Sequence, residues 1–212
     1  MTAFSRRGLI LGTSALGTTA LIASAPALAA LVPTPQTTDG PFYPVRIPDD
    51  HDNDLVRVEP AVREAGGEIL HLHGRVTDLQ AQPIAGAVVE IWQCDANGIY
   101  LHPRQSGLAR RDAAFQGFGR TTTDAEGRFR FRTILPVPYT GRTPHIHAKI
   151  LRGSAEVLTT QFYRAGFAQN ANDFLFSRMS AAEQKRASMV VQPHAGEGRP
   201  QWETDIVVVL PG

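Results

Sequence analysis

Two His-x-His pairs, His71-Leu72-His73 and His145-Ile146-His147, are the first residues whose types and spacing could do chemistry. On a strand, residues two apart point to the same face, so either pair can turn both imidazoles toward one ion. Both pairs alternate with apolar neighbours, and periodicity does not separate them. Their surroundings do. Immediately before His145 runs Pro136-Val137-Pro138-Tyr139-Thr140-Gly141-Arg142-Thr143-Pro144, a proline-stiffened loop carrying a phenol and a guanidinium. The chain has only 4 tyrosines, and Tyr100 follows a turn at Asp95-Ala96-Asn97-Gly98. An isolated tyrosine is ordinarily a core ring with its hydroxyl bonded locally, and an isolated arginine belongs to a surface ion pair. Arg142, three residues ahead of His145, fits the second description poorly.

The elements that must position these groups read as short strands. Residues Glu68 to Thr77 alternate, Ala87 to Gln93 are β-branched and aromatic, and Arg128 to Ile134 alternate again. Pro144 to Leu151, Glu156 to Tyr163 and Thr204 to Leu210 complete the set. Turn signals such as Asp124-Ala125-Glu126-Gly127 separate them, and this spacing predicts an all-β, antiparallel β-sandwich. One short helix is expected near Ser180 to Val190, where Ser180 and Glu183 can form a capping box. Leu101 to Gly117 and Pro136 to Thr143 lack regular patterning between firm strands, which is where active-site loops tend to lie.

Composition narrows the class. With 42% hydrophobic and 19% charged residues, the 212-residue chain has apolar material for one core. It has 21 basic against 20 acidic side chains, and Arg6 and Arg7 fall in the leader described next, which leaves 19 against 20. A balance this even lacks the basic footprint of a nucleic-acid binder. The lone Cys94, inside an apolar run, reads as a small buried hydrophobe. Residues 1-29 read as a twin-arginine signal peptide: Ser5-Arg6-Arg7-Gly8-Leu9-Ile10, a weakly apolar stretch, then the small-residue cleavage site Ala27-Leu28-Ala29. The expected product is a periplasmic or secreted protein that is not integral to a membrane. Residues 30-67 read as an extended arm, and 68-212 as the sandwich domain.

Ordered blocks along nearly the whole mature chain resemble the intradiol ring-cleavage dioxygenases. They are Thr37-Thr38-Asp39-Gly40-Pro41-Phe42-Tyr43, Gly74-Arg75-Val76-Thr77-Asp78, Pro83 through Gln93, Gly98-Ile99-Tyr100, Gly119 through Asp124, Phe131-Arg132-Thr133-Ile134, and Pro138-Tyr139 through His147. The resemblance implies a transthyretin-like sandwich and one non-haem ferric ion per chain, bound by Tyr100, Tyr139, His145 and His147. Tyr100 and His147 resemble the equatorial ligands, Tyr139 and His145 the axial pair. Phenolate oxygens are hard, anionic donors that suit a trivalent ion. Arg142 matches the active-site arginine, and Gln161, in Thr160-Gln161-Phe162-Tyr163, a glutamine near it. Tyr139 is implied to leave the metal and take up a substrate proton. The implied substrates are a catechol-type diol and dioxygen. The ring substituents, the need for a partner subunit and the oligomeric state, a homo-oligomer included, stay open.

A rival from another class shares several blocks. Gly-x-Val-x-Asp, Pro-x-x-Gly-Ala-x-Val and Thr-Asp-x-x-Gly-x-Phe also mark exported, non-catalytic β-sandwich modules that bind or space other domains. The stretch from Tyr139 to His147 separates the two, because a spacer has no use for it. Metal-dependent hydrolysis lacks a matching carboxylate beside the histidines.

Replacing Arg6 and Arg7 with lysines is expected to block export of the folded chain. Fractionation of cells producing that variant checks this, and unchanged export would overturn the twin-arginine reading.

Overall fold

The structure, a computed structural model, describes residues 31–58 and 63–211. The signal-peptide reading therefore lies outside the described residues. Among the described residues, nine strands and one α-helix follow in order: β1 (Ile69–Thr77), β2 (Val88–Trp92), β3 (Phe118–Thr122), β4 (Arg128–Ile134), β5 (His145–Arg152), β6 (Ala155–Arg164), α1 (Ala181–Arg186), β7 (Ser188–Met189), β8 (Gln192–Pro193) and β9 (Gln201–Val209). They form a four-stranded sheet, β4-β1-β9-β8, and a five-stranded sheet, β3-β2-β5-β6-β7. The apolar faces of both sheets meet in one core that includes Leu70, Leu72, Val89, Ile91, Ile146, Ile150 and Val208. The β-sandwich reading stands, with one difference. β1 pairs with β9, and β6 with β7, in parallel. Neither pair is joined by a tight turn, and only hairpin connections compel antiparallel neighbours.

The six strands read from the sequence all form, with ends displaced by at most a few residues. β3 is a strand that the sequence pattern does not mark. Its sequence, Phe118-Gly119-Arg120-Thr121-Thr122, has a glycine where a strand would carry a side chain. The reason is spatial: a Cβ at Gly119 would lie 2.5 Å from Leu55 Cδ1 and 2.7 Å from the Asp52 carbonyl. The helix has the expected reciprocal capping between Ser180 and Glu183 but ends at Arg186. Ser188 and Met189 are drawn off to pair with Tyr163 and Arg164 on β6.

β5 is the strand that positions the site. Its inner side chains, Ile146, Ala148 and Ile150, enter the core, yet His145, His147 and Lys149 on the outer face are buried too. The cover is the N-terminal arm. The Thr37 amide donates to the Thr159 carbonyl at 2.8 Å, and Thr160 Oγ1 donates to the Pro35 carbonyl at 2.7 Å, which ties the arm along β6. Farther along the arm, Leu55 and Val56 enter the main core at 0% exposure. The arm is thus part of the packed unit.

Leu55→Ala is expected to cost about 2–5 kcal/mol of stability, the range for truncating a buried leucine. Denaturant unfolding checks this, and a loss below about 1 kcal/mol would show the arm to be an appendage.

Candidate functional site

The loop Pro136 to Thr143 ends in Pro144, after which β5 begins at His145. His145 Nδ1 lies 2.7 Å from the Thr143 carbonyl, so Nδ1 carries the proton and Nε2 is left bare. The two Nε2 atoms of His145 and His147 stand 3.2 Å apart. Two imidazole nitrogens at right angles on one metal, each about 2.1 Å from it, would be separated by about 3 Å. Burial, and then the Arg142 charge, lowers the His145 pKa to about 4. Burial, the His145 imidazole and Arg142 push His147 well below its ordinary value. Both rings are therefore neutral, the form that binds metal.

Two phenols complete the cluster. The Tyr100 and Tyr139 ring centroids are 5.2 Å apart with planes at 82°, and Tyr139 stands 5.5 Å from the His145 ring. Tyr100 stands 6.1 Å from the His147 ring. Tyr100 is 1% exposed, and its buried hydroxyl, close to the Tyr139 phenol, makes no well-formed hydrogen bond, an arrangement that costs about 1–3 kcal/mol unless something else satisfies it. Burial and the neighbouring Tyr139 raise its pKa well above the phenol value. Burial also raises Tyr139, against the opposing pull of Arg142. Among the described residues, no group of three or more His, Cys, Asp or Glu side chains could hold a metal. A metal bound here would need the phenols, and the residues present fit a hard, highly charged ion.

Aromatic packing fixes the rings of this cluster. Trp92, the β2 residue in register with His147, stacks on that imidazole at 4.8 Å and 12°. Phe42 of the arm stacks on Tyr100 at 4.7 Å and 20°. Gly40 has φ +69° and lies so close that a Cβ there would sit 3.4 Å from His147 Cε1. A side chain at this position would be both strained and pressed against the ring.

Beside the phenols lies a charged group held by its neighbours. Arg142 Nε donates to Asp173 Oδ2 at 2.8 Å and Nη2 donates to Gln161 Oε1 at 2.6 Å, while Nη1 lies 3.4 Å from the Tyr139 hydroxyl. Gln161 is pinned in turn: Tyr163 Oη donates to its Oε1 at 2.9 Å, and its Nε2 donates to the Thr38 carbonyl at 3.1 Å. A cavity of about 320 Å³ adjoins this group, lined by Pro138, Tyr139, Arg142, Gln169 and Asn172 among others. That is room for one small aromatic ring.

The six residues singled out from the sequence, Tyr100, Tyr139, Arg142, His145, His147 and Gln161, thus come together. His71 and His73 do not join them. They lie on the outer face of the other sheet, where His71 Nε2 is 2.8 Å from Gln201 Oε1. Sequence reasoning missed Trp92, Asp173 and Tyr163 as site neighbours, and noted Gly40 and Phe42 only as part of an entry motif. Gly40 did carry a signal, since Asp39-Gly40-Pro41 marks a sharp turn. Asp173, in Asn172-Asp173-Phe174, carried none.

A sequence profile of the family described as "Dioxygenase" matches residues 38–207, nearly all of the described chain. The chain belongs to the intradiol ring-cleavage dioxygenase family. It is 37% identical over 145 residues to the protocatechuate 3,4-dioxygenase beta chain of Burkholderia cepacia, covering 64% of this chain and 61% of that one. It is 33% identical over 162 residues to catechol 1,2-dioxygenase 1 of Acinetobacter lwoffii, covering 68% of this chain and 50% of that one. The chain thus spans about half to three-fifths of the length of these curated relatives. Among solved structures, the dioxygenase domain of a dioxygenase carbohydrate-binding protein fusion from Streptomyces sp. SirexAA-E superposes with a TM-score of 0.63 at 31% identity. The match covers 84% of this chain and 98% of that one.

In this family member the arm is latched at its outer edge by Lys149, which is 3.2 Å from Asp39, 3.0 Å from Glu156 and 3.9 Å from the Tyr43 ring centre. Lys149→Met is expected to cost about 1–3 kcal/mol, between the scales for exposed and buried pairs, because its partners are half open to solvent. Cleavage of the arm by added protease should quicken accordingly. Wild-type protease resistance would show that the latch is idle.

Proposed function

We propose that this chain is a ferric-iron dioxygenase that opens catechol-type diols between their two hydroxyls, with Tyr100, Tyr139, His145 and His147 as the metal ligands. The observation that carries this reading is the convergence of two neutral imidazoles with a buried phenol, Tyr100, and a half-buried one, Tyr139. When bound, ferric iron would supply Lewis acidity and a template for the diolate. The chain's own residues supply the rest. Tyr139 Oη, half-buried beside the cavity, is placed to take a proton from the diol. Arg142 Nη1 faces the same hydroxyl and would stabilise negative charge developing on the ring, with far greater effect in a dry pocket than in water. Phe42 and Trp92 exclude water from the inner side of the site and hold the ligand rings.

The overall reaction balances without a reductant: a catechol and one dioxygen give a muconate-type diacid that contains both oxygen atoms. The relatives named above support a catechol-type substrate, and nothing in the site selects one ring substituent. The spacer-module rival has no use for buried phenols and imidazoles turned toward one another. The twin-arginine leader supports export, so the proposed place of action is the periplasm or the medium.

Iron-loaded protein is expected to be red-brown, because light moves electron density from phenolate to ferric iron. Tyr100→Phe should weaken both colour and iron retention, whereas His71→Ala with His73→Ala should change neither; the opposite pattern would move the metal to the other pair. With labelled dioxygen, the product should be a colourless diacid carrying label in each new carboxyl group. Arg142→Leu should slow turnover by about 10²–10³-fold, the scale for one preorganised electrostatic group, with iron retained. A yellow semialdehyde, or no oxygen uptake across a catechol panel by iron-replete protein, would falsify the assignment.

A further inference from the structure

Arg142 has five N–H donors on a flexible stem, and only one orientation brings them to bear on the site. Asp173 is the group able to choose it. The Asp173 carboxylate is 0% exposed and divides its work between its two oxygens. Oδ1 accepts from the amides of Leu175 at 3.0 Å and Phe176 at 3.1 Å, which caps the turn that follows it. Oδ2 accepts from Arg142 Nε at 2.8 Å and from the Thr143 amide at 3.1 Å. Held by two separate backbone segments, the carboxylate cannot swing to follow the arginine, so the arginine follows it. Once Nε is engaged, the planar fork is fixed, with Nη2 on Gln161 and Nη1 toward the Tyr139 hydroxyl.

We propose that Asp173 is a positioning residue that aims the Arg142 guanidinium at the reacting diol, a role that rests on the ring-cleavage reading. An electrostatic purpose alone does not account for the pair. A carboxylate 2.8 Å from the guanidinium cancels part of the positive charge that Arg142 would offer a developing anion. Orientation is what the pair supplies in return. The same contact also reaches the ligand side of the site. Thr143 donates its amide to Asp173 and accepts His145 Nδ1–H through its carbonyl, so one carboxylate steadies both the arginine and the anchor of an imidazole.

Asp173→Asn isolates this role. The amide can keep its oxygen on the Leu175 and Phe176 amides while presenting an NH₂, which cannot accept from Arg142 Nε or Thr143. In metal-free protein, the ¹⁵N NMR signal of the Arg142 Nε–H, assigned by its loss in Arg142→Lys, should be protected from solvent exchange. In Asp173→Asn it should exchange at least about 10-fold faster. In iron-loaded protein, turnover should fall about 10–100-fold with iron content and visible colour unchanged, and Asp173→Glu should fall between the two. Adding Asp173→Asn to Arg142→Leu should cost far less than the two single losses combined, because the group being aimed is gone and only the contact through Thr143 is left to lose. Wild-type turnover in Asp173→Asn overturns the proposal. So does a full additive loss in the double variant, which would make Asp173 a structural cap only. If the Asn variant fails to fold, Asp173→Glu carries the same test, and wild-type exchange and turnover there overturn it. Wild-type protein with a protected Arg142 signal but no ring cleavage would refute the functional reading and leave the orientation of Arg142 by Asp173 standing.

Discussion

A strand buried on both faces has to satisfy every polar atom it carries, and β5 is such a strand with two imidazoles and an ammonium on its outer side. Much of the site can be read as the answer to that constraint. Lys149, nearest the rim, is met by carboxylates from the arm and from β6 and by the face of Tyr43. His145 is met by the Thr143 carbonyl. His147 is met by the Trp92 ring stacked on one face and by the other imidazole, and its Nδ1 has no partner. Polar satisfaction is thus poorest at His147, between the two, and the deficit lies where the metal is proposed.

The charges in the site follow a matching logic. Both imidazoles are neutral, Arg142 is paired with Asp173, and burial opposes ionisation of the phenols. Burial alone would raise the Asp173 carboxyl, but donors from Arg142 and from the Phe176 and Thr143 amides outweigh it and hold the carboxyl below its ordinary value. The pocket without a metal is therefore close to electrically neutral, the cheap state for a low-dielectric interior. A trivalent cation would invert the cost of ionising the two phenols, since two phenolates and one further anion balance its charge. In this reading, the same burial that keeps the phenols protonated in the empty pocket strengthens their hold on iron.

How much of this was legible in the sequence depended on whether the signal was local. Alternation marked β1, β4 and the start of β5, and the Ser180–Glu183 spacing marked the start of the helix, because both arise from neighbours in the chain. The two His-x-His pairs show where local signals stop. Their spacing is the same, yet β1 turns His71 and His73 onto an outer face where His73 is exposed, while β5 lies in the middle of its sheet beneath an arm laid down some hundred residues earlier. Only the loop residues Tyr139 and Arg142 separated the pairs in advance. Asp173 and Tyr163 reach the site across turns and strands whose packing no periodicity encodes. Gly119 was unreadable as a strand residue because the reason for it, the approach of Leu55 and Asp52, comes from the arm.

The arm is accordingly part of the site. Thr38 accepts from Gln161, Gly40 lies against His147, Phe42 covers Tyr100, and Tyr43 donates to the buried Glu90 that also holds Arg120 on β3. Four contacts within six residues run from the glutamine beside Arg142, across two proposed ligands, to the far edge of the sheet. Loosening the segment at either end would free the Tyr100 ring and the glutamine beside Arg142 together. Inside, the arm is held by ring stacking, which ionic strength hardly touches; at the rim it is held by ion pairs, which salt screens. The rim is therefore where the arm should open first, releasing Asp39 from Lys149 while Phe42 still covers Tyr100 and Tyr43 stays against Trp92.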